Sequence, residues 1–247
     1  MNYQFDTELI SQHIIKYGVD IRPPIGLKQE NAKLQDYCNW LIAQFPEVFE
    51  TLLAGPNQLR VHRSFILSDG KRAELPTFVL TNRGVVFTFP QRLFIDQPHE
   101  IDIPGRDKIF RKAVEELRAR FAGHKVPRIG IVNEFVFDTG EMDSLAVVAS
   151  NLKNDLWRER ARNLRILLEA PTEDKNINLQ INPTSLRRTG KGTNVPEEVT
   201  KFGIIVVADI NNRQVSNDLT KAEINDLLVF ADDYIPDELI RFLNNEY

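Results

Sequence analysis

The string Phe135-Val136-Phe137-Asp138-Thr139-Gly140 places an Asp-Thr-Gly after apolar residues, a pattern typical of the catalytic loop of aspartic proteases. That chemistry needs two carboxylates that share one proton, so a single motif would serve only in a dimer. Glu141 follows where such loops continue with Ala or Ser, and we find neither a clear paired loop nor a flap. We therefore interpret the string as a strand that runs into a turn.

A second chemistry open to the same stretch is metal binding, because hard cations prefer several carboxylates within a small volume. Asp209 ends the apolar run Phe202 to Ala208 and would have to join the group from a distant part of the sequence. The alternative hypothesis is a metal-dependent hydrolase or nuclease built on Asp138, Glu141, Asp143 and Asp209.

Other catalytic constellations lack the spacing that their chemistry requires. The histidines are far apart, and none has the spacing of a zinc site: His13, His62, His99 and His124. Cys38 lies on the apolar face of a predicted helix and is interpreted as a core residue rather than a nucleophile. Gly190-Lys191-Gly192 lacks the spacing of a phosphate-binding loop. We predict no cofactor and favour a protein that is not an enzyme, although the sequence leaves the question open.

Cations cluster in two places that are candidates for binding a nucleic acid or an acidic protein partner. Flexible glycines and small polar residues beside the cations suit a phosphate backbone or an acidic peptide. An ordinary exposed loop is the competing interpretation. The candidate binding residues are Arg187, Arg188, Lys191, Arg158, Arg160 and Arg162.

The net charge of −4 is unevenly distributed along the 247 residues. Residues 106–128 carry eight Lys and Arg against three Asp and Glu, whereas residues 209–247 carry three against nine. These regions are two solvated faces, or they pair within the fold, between subunits or with a partner. The single cysteine favours a reducing compartment, and neither a signal peptide nor a membrane span is predicted, so we expect a cytoplasmic protein.

The element pattern predicts an α+β fold in which antiparallel strand meanders are each followed by an amphipathic helix. We expect an extended and helical segment at 1–56, a first module at 57–140 and a second at 141–247, unless the three form one continuous domain. Pro46 marks the start of a predicted second helix after that of residues 30–45. Thr220-Lys221-Ala222-Glu223 predicts the capping box of another helix.

Ser68-Asp69-Gly70, the helix of residues 106–122 and Arg128-Ile129-Gly130-Ile131-Val132-Asn133 together resemble a sporadically distributed family of prokaryotic proteins of unknown function. The resemblance covers roughly residues 45–247. It implies an intracellular prokaryotic protein and carries over no functional residues. Val132 stands before Asn133 where that family often has an aromatic residue.

The interpretation that the sequence favours is a non-enzymatic binding or assembly protein, an intracellular prokaryotic accessory or defence-system component. It would act through protein–protein contacts, with self-association or a protein partner and no membrane. Exposed sheet edges and the separated charges are the expected docking surfaces. A nucleic-acid-associated protein with a basic loop and a metal-dependent hydrolase or nuclease are the alternatives.

Overall fold

The computed structural model describes residues 10–66, 72–90, 103, 105–140, 142–150, 165–187, 200–213, 218–244 and 246. The strands are β1 Ile10–Arg22, β2 Thr51–Ala54, β3 Leu59–Ile66, β4 Arg72–Leu80, β5 Gly84–Pro90, β6 Lys125–Gly140, β7 Ile166–Glu169, β8 Lys175–Arg187 and β9 Thr200–Asn212. The helices are α1 Asn31–Gln44, α2 Arg106–Arg120, α3 Ser144–Ser150 and α4 Lys221–Leu243. This mixture of antiparallel strands and helices confirms the α+β class. Within these residues, no helix is both long and apolar enough to cross a membrane.

The strands form a single nine-stranded antiparallel sheet in the order β2-β3-β4-β5-β1-β6-β9-β8-β7. The first and second halves of the chain therefore share one sheet, and they meet where β1 pairs with β6. The edges, β2 and β7, are only four residues long. Beside β2, the backbone N–H of Ser64 donates to the Glu50 carboxylate at 2.9 Å, so a side chain occupies a donor that another strand would need.

One hydrophobic core lies on one face of this sheet. All four described helices contribute to it, and its strand members alternate along each strand because successive side chains point to opposite faces. Tyr17 of β1 stacks on Phe110 of α2 with ring centroids 4.6 Å apart, and Phe87 of β5 meets the same ring edge-on at 5.5 Å. Val86, which points to the opposite face, does not belong to the core.

Helices α2 and α4 lie side by side and antiparallel, since their contacts join residues in reverse order. Ion pairs connect Arg106 with Asp232 at 3.0 Å, Glu115 with Lys221 at 2.7 Å and Arg118 with Asp218 at 2.9 Å. Two of these ion pairs, Arg106–Asp232 and Arg118–Asp218, join the basic region of residues 106–128 to the acidic region of residues 209–247 within the fold. This pairing removes part of the charge that the sequence had offered as a docking surface.

One local expectation about the first fifty residues needs correction. Residues 46–48 form a turn rather than the start of a second helix, and the chain continues into β2. A short apolar run does not distinguish a helix from a strand, and here Leu52 pairs with Val61 of β3. The expected extended entry segment contains β1, which lies inside the sheet between β5 and β6.

Candidate functional site

The Asp-Thr-Gly string is the end of a strand followed by a turn, as interpreted from the sequence. Asp138, Thr139 and Gly140 are the last residues of β6, where the register with β9 shifts between Asp138 and Gly140. The turn that follows is closed by the Thr139 hydroxyl, which donates to the Met142 carbonyl at 2.9 Å. Thr139 itself is buried, so its hydroxyl serves this turn.

The four carboxylates of the metal hypothesis are not brought together where the structure describes them. Asp138 pairs with Gly203, and Asp209 lies six residues further along β9 opposite Val132. At the rise of a strand this separates the two residues by roughly 20 Å. Asp143 accepts the backbone N–H of Leu145 at the start of α3, and Glu141 lies outside the described residues. Among the described residues, no group of three or more His, Cys, Asp or Glu is placed to hold a metal ion.

The basic candidates fall almost entirely outside the described part of the chain. Arg187 is the last residue of β8, where its backbone pairs with Thr200 of β9. Arg188, Lys191, Arg158, Arg160 and Arg162 lie outside the described residues. The predicted binding role of all six therefore stays a prediction.

A polar cluster that sequence reasoning missed lies where β1, α2 and α4 meet. The buried Tyr17 hydroxyl donates to Asp107 Oδ1 at 2.5 Å and accepts from Arg106 Nε at 3.3 Å. Arg106 also donates to Asp232 Oδ1 at 3.0 Å, so one guanidinium links the start of α2 to α4. The cluster joins groups 90 and 126 residues apart in sequence, which explains why local patterns did not reveal it.

The electrostatics of this cluster suit a fixed contact better than proton transfer. Burial, and then the charge of Asp107, raise the pKa of Tyr17, so the phenol stays protonated and acts as a donor. Burial, and then the charge of Asp107, also raise the pKa of Asp232, while the Arg106 guanidinium opposes that rise. The groups satisfy one another, and we assign them a structural role.

Nucleophilic chemistry at Cys38 is disfavoured by its surroundings. The thiol is buried in α1, and this burial raises its pKa to about 12. The thiolate is the reactive form, so it is scarce at neutral pH. Cys38 is a core residue, in agreement with the sequence interpretation.

A groove of about 370 Å³ lies between the start of α1 and the turn that joins β2 to β3. Its size suits a small molecule. Its lining carries the amine of Lys28 and three amides but no carboxylate, imidazole, hydroxyl or thiol, so no lining residue pairs with the amine as a second acid–base group. The lining residues are Leu27, Lys28, Asn31, Gln35, Ala54, Gly55, Pro56, Gln58 and Leu59.

A third surface is the face of the sheet opposite the four described helices, which we call the open face. At its centre it presents Val86 of β5, Lys16 and Gly18 of β1, Gly130 and Val132 of β6, and Asp209 of β9, as the strand register requires. Val86 is 38% exposed and Lys16 is exposed, so the centre of this face reaches solvent.

Gly18 and Gly130 lie directly opposite each other in the two strands that join the halves of the sheet. The β1–β6 register is continuous around them, so neither glycine marks a bulge. A Cβ added to Gly18 would be 3.8 Å from its nearest neighbour, the Gly130 carbonyl oxygen. A Cβ added to Gly130 would be 3.6 Å from Asn211 Cβ, which is also an ordinary contact. The fold has room for a Cβ at both positions.

Gly84, on the same face, differs from Gly18 and Gly130 because it has no space for a Cβ. A Cβ at Gly84 would lie 2.3 Å from the Val19 carbonyl oxygen, so the fold itself requires glycine there. Glycine inside a strand weakens it and often marks a bulge, a tight bend or a place where a ligand or another backbone approaches closely. No bulge separates Gly18 from Gly130, so this part of the open face is a candidate place for such an approach.

The two sides of the glycine pair differ in chemistry. Val79 of β4 and Val86 of β5 lie on the β1 side, whereas β8 adds the amides of Asn176 and Asn178 on the β6 side. Asn211 of β9 is also on the β6 side, where it is buried and its side-chain oxygen accepts a hydrogen bond from the Asn176 amide at 3.3 Å. Along the row of the glycines, the face is thus apolar on the β1 side and polar on the β6 side.

Comparisons with protein-family models, curated proteins and solved structures give no match to this chain. Function is therefore argued from the residues themselves. The resemblance to a prokaryotic family remains an expectation from the motifs quoted above.

The sequence did contain a signal for the glycine pair. Each glycine interrupts an apolar strand pattern, in IIKYGVDI and in RIGIVNEF, and an isolated glycine in such a pattern indicates a bulge or a close backbone approach. The sequence could not predict that the two glycines lie opposite each other, because Gly18 and Gly130 are far apart in sequence and meet only through the pairing of β1 with β6.

Proposed function

We propose that this chain is a non-enzymatic binding or assembly protein that acts through protein–protein contacts made by the open face. The observation that carries the proposal is the Gly18–Gly130 pair. A Cβ at either position would meet only ordinary contacts, yet both residues are glycine and leave the backbone without side chains at the centre of the open face. Flat backbone flanked by half-buried valines allows a partner to approach closely.

The rest of the described site supports binding over catalysis. Asp138, Asp143 and Asp209, the described carboxylates of the metal hypothesis, are spread over β6, the start of α3 and β9, and the Tyr17 cluster is internally satisfied. The open face carries a charge on each side of the glycines, Lys16 and Asp209, which would give a docked partner its orientation.

The proposal also treats the parts of the chain before and after the start of β6 as related modules, which places their boundary at residues 124 and 125 instead of the predicted 140 and 141. In the first half β1 and α1 precede the strands β2 to β5 and then α2, and in the second β6 and α3 precede β7 to β9 and then α4. Each half contributes one glycine to the Gly18–Gly130 pair, so the open face contains residues of both halves. The intracellular prokaryotic setting, as an accessory or defence-system component, is part of the proposal through the resemblance alone.

Substitution of the glycines tests this function. We expect Gly18→Val and Gly130→Val to keep or raise stability, by up to about 1 kcal/mol, because valine favours strands and both positions have room for a Cβ. The same variants should weaken any specific association of the protein, with itself or with a partner identified by affinity purification from its native host, by about tenfold or more. Affinity would be measured by calorimetry with the purified partner or by the monomer–oligomer equilibrium.

The matched control is Val229→Ser, which changes an exposed valine on α4 away from the open face. It should leave the association unchanged. Equal binding by the wild type and both glycine variants, or the absence of any specific association, would contradict the proposal.

A further inference from the structure

We infer that the open face docks against the same face of a second copy, in a two-fold symmetric dimer of sheet on sheet. This inference rests on the proposed function and names its partner. The axis would run parallel to the strands, between β1 and β6. Such a rotation places the β1 side of one copy over the β6 side of the other.

The residues beside the axis set how closely the two copies approach. In a two-fold interface every residue beside the axis meets its own counterpart or a near neighbour, so small residues there reduce crowding between the copies. Gly18 and Gly130 lie on either side of the axis, between the row of Lys16 and Val132 and the row of Asp20 and Arg128. Each glycine would lie over the other glycine of the second copy, which leaves room for the larger side chains of the neighbouring rows at the ~10 Å of ordinary sheet packing.

The second argument is charge complementarity. In the row beside the glycines, Lys16 of β1 lies opposite Val132 of β6, and Asp209 of β9 follows on the far side. The rotation brings Lys16 over Val132 of the second copy, within reach of its Asp209. The pair forms twice, once on each side of the axis. Face-to-face contact thus matches a cation with an anion in both directions.

A second complementary pair lies in the row on the other side of the glycines. Asp20 of β1 is opposite Arg128 of β6 within one copy. The same rotation places Asp20 over Arg128 of the second copy, so opposite charges meet again. A rotation about an axis perpendicular to the strands would instead place Lys16 on the β1 side of its partner, away from Asp209.

The size of the surface is sufficient for a dimer. The six central strands, β4 to β8 in sheet order, span about 29 Å at the usual strand spacing. Seven residues along each strand add about 23 Å in the other direction. A footprint of this size falls near the roughly 800 Å² per partner of a standard stable interface.

Charge reversal with rescue tests the inference on the full chain. We expect the wild type to sediment as a dimer at micromolar concentration. Lys16→Glu and Asp209→Lys should each weaken dimerisation by about tenfold or more, because each places like charges together twice. The double variant restores opposite charges across the interface and should recover dimerisation to within about threefold of the wild type. Sedimentation velocity over a concentration series gives the dissociation constants.

The matched control is Lys33→Glu, the same charge change on an exposed side chain of α1. It should dimerise like the wild type, and thermal unfolding should show that all variants are folded. A monomeric wild type, or a dimer that is insensitive to both single reversals, would overturn the inference. A monomeric wild type that binds another protein in a manner lost in Gly130→Val would overturn the dimer while the proposed function stands. A monomer with no such partner would overturn both.

Discussion

Tyr17 shows how a single buried hydroxyl fixes the relation between a strand and two helices. Its ring is held by Phe110, and its oxygen meets Asp107 and Arg106 at the start of α2. A buried polar group must find a partner, and a hydrogen bond to a charged group contributes more than a neutral one. Arg106 then extends the network to Asp232 of α4.

Removal of this hydroxyl should destabilise the protein through Asp107. We expect Tyr17→Phe to lower the free energy of unfolding by about 2 kcal/mol, since Asp107 loses its short donor. In the Asp107→Asn background the same change should cost clearly less. Urea unfolding of the four proteins in this cycle gives the coupling energy. Equal costs in both backgrounds would show that the hydroxyl acts independently of Asp107.

Helix α4 begins where its sequence predicts, at a reciprocal capping box. The Glu223 backbone N–H donates to the Thr220 hydroxyl at 3.2 Å, and the Thr220 backbone N–H donates to Glu223 Oε2 at 2.6 Å. Both bonds satisfy N–H groups that have no partner inside the helix. Such a start is readable from sequence because all its partners lie within four residues of one another.

Loss of the cap should cost about 1 kcal/mol in the free energy of unfolding for Thr220→Ala. Thr220→Ser keeps the hydroxyl and serves as the matched control, with an expected cost well below that of Ala. Chemical denaturation of both variants measures the difference. Identical stabilities for Ala and Ser at this position would show that the hydroxyl bond contributes nothing.

The same cap makes stability depend on pH. The backbone hydrogen bond from Thr220 lowers the pKa of Glu223. A carboxyl with a lowered folded-state pKa stabilises the fold above its unfolded value of about 4.3, and this contribution is lost as the pH falls through the lowered value. Glu223→Gln should therefore lose less stability than the wild type between neutral pH and about pH 3. Urea unfolding at a series of acidic pH values tests this, and parallel curves would contradict it.

At the scale of the whole molecule, the sequence predicted the helices and strands far better than it predicted which strands pair with each other. The α+β class, the amphipathic α2 and the start of α4 follow from local spacing. The central place of β1 does not, because its partners β5 and β6 are about seventy and more than a hundred residues away. The glycine pair was out of reach for the same reason. Opposite charge in residues 106–128 and 209–247 was visible, but its pairing across α2 and α4 was one of several possibilities.

The ion pairing between α2 and α4 is testable at Glu115 and Lys221, whose charges are the reverse of those that dominate the two regions. Glu115→Lys and Lys221→Glu should each lower the free energy of unfolding by at most about 1 kcal/mol, since both side chains are largely exposed and screened by salt. The double exchange should recover most of the loss. Thermal unfolding at low and high salt measures the effect, and additive losses in the double variant would show that the pair is not coupled.

At one edge of the sheet, the four-residue β2 and the Glu50 carboxylate, which accepts the N–H of Ser64, leave little room for another strand. Lateral stacking of molecules into cross-β fibrils is thereby discouraged. The open face, in contrast, is fully buried once two molecules have docked through it, so a third molecule cannot bind there. Growth would stop at a pair, and the protein could accumulate in a crowded cell without polymerising.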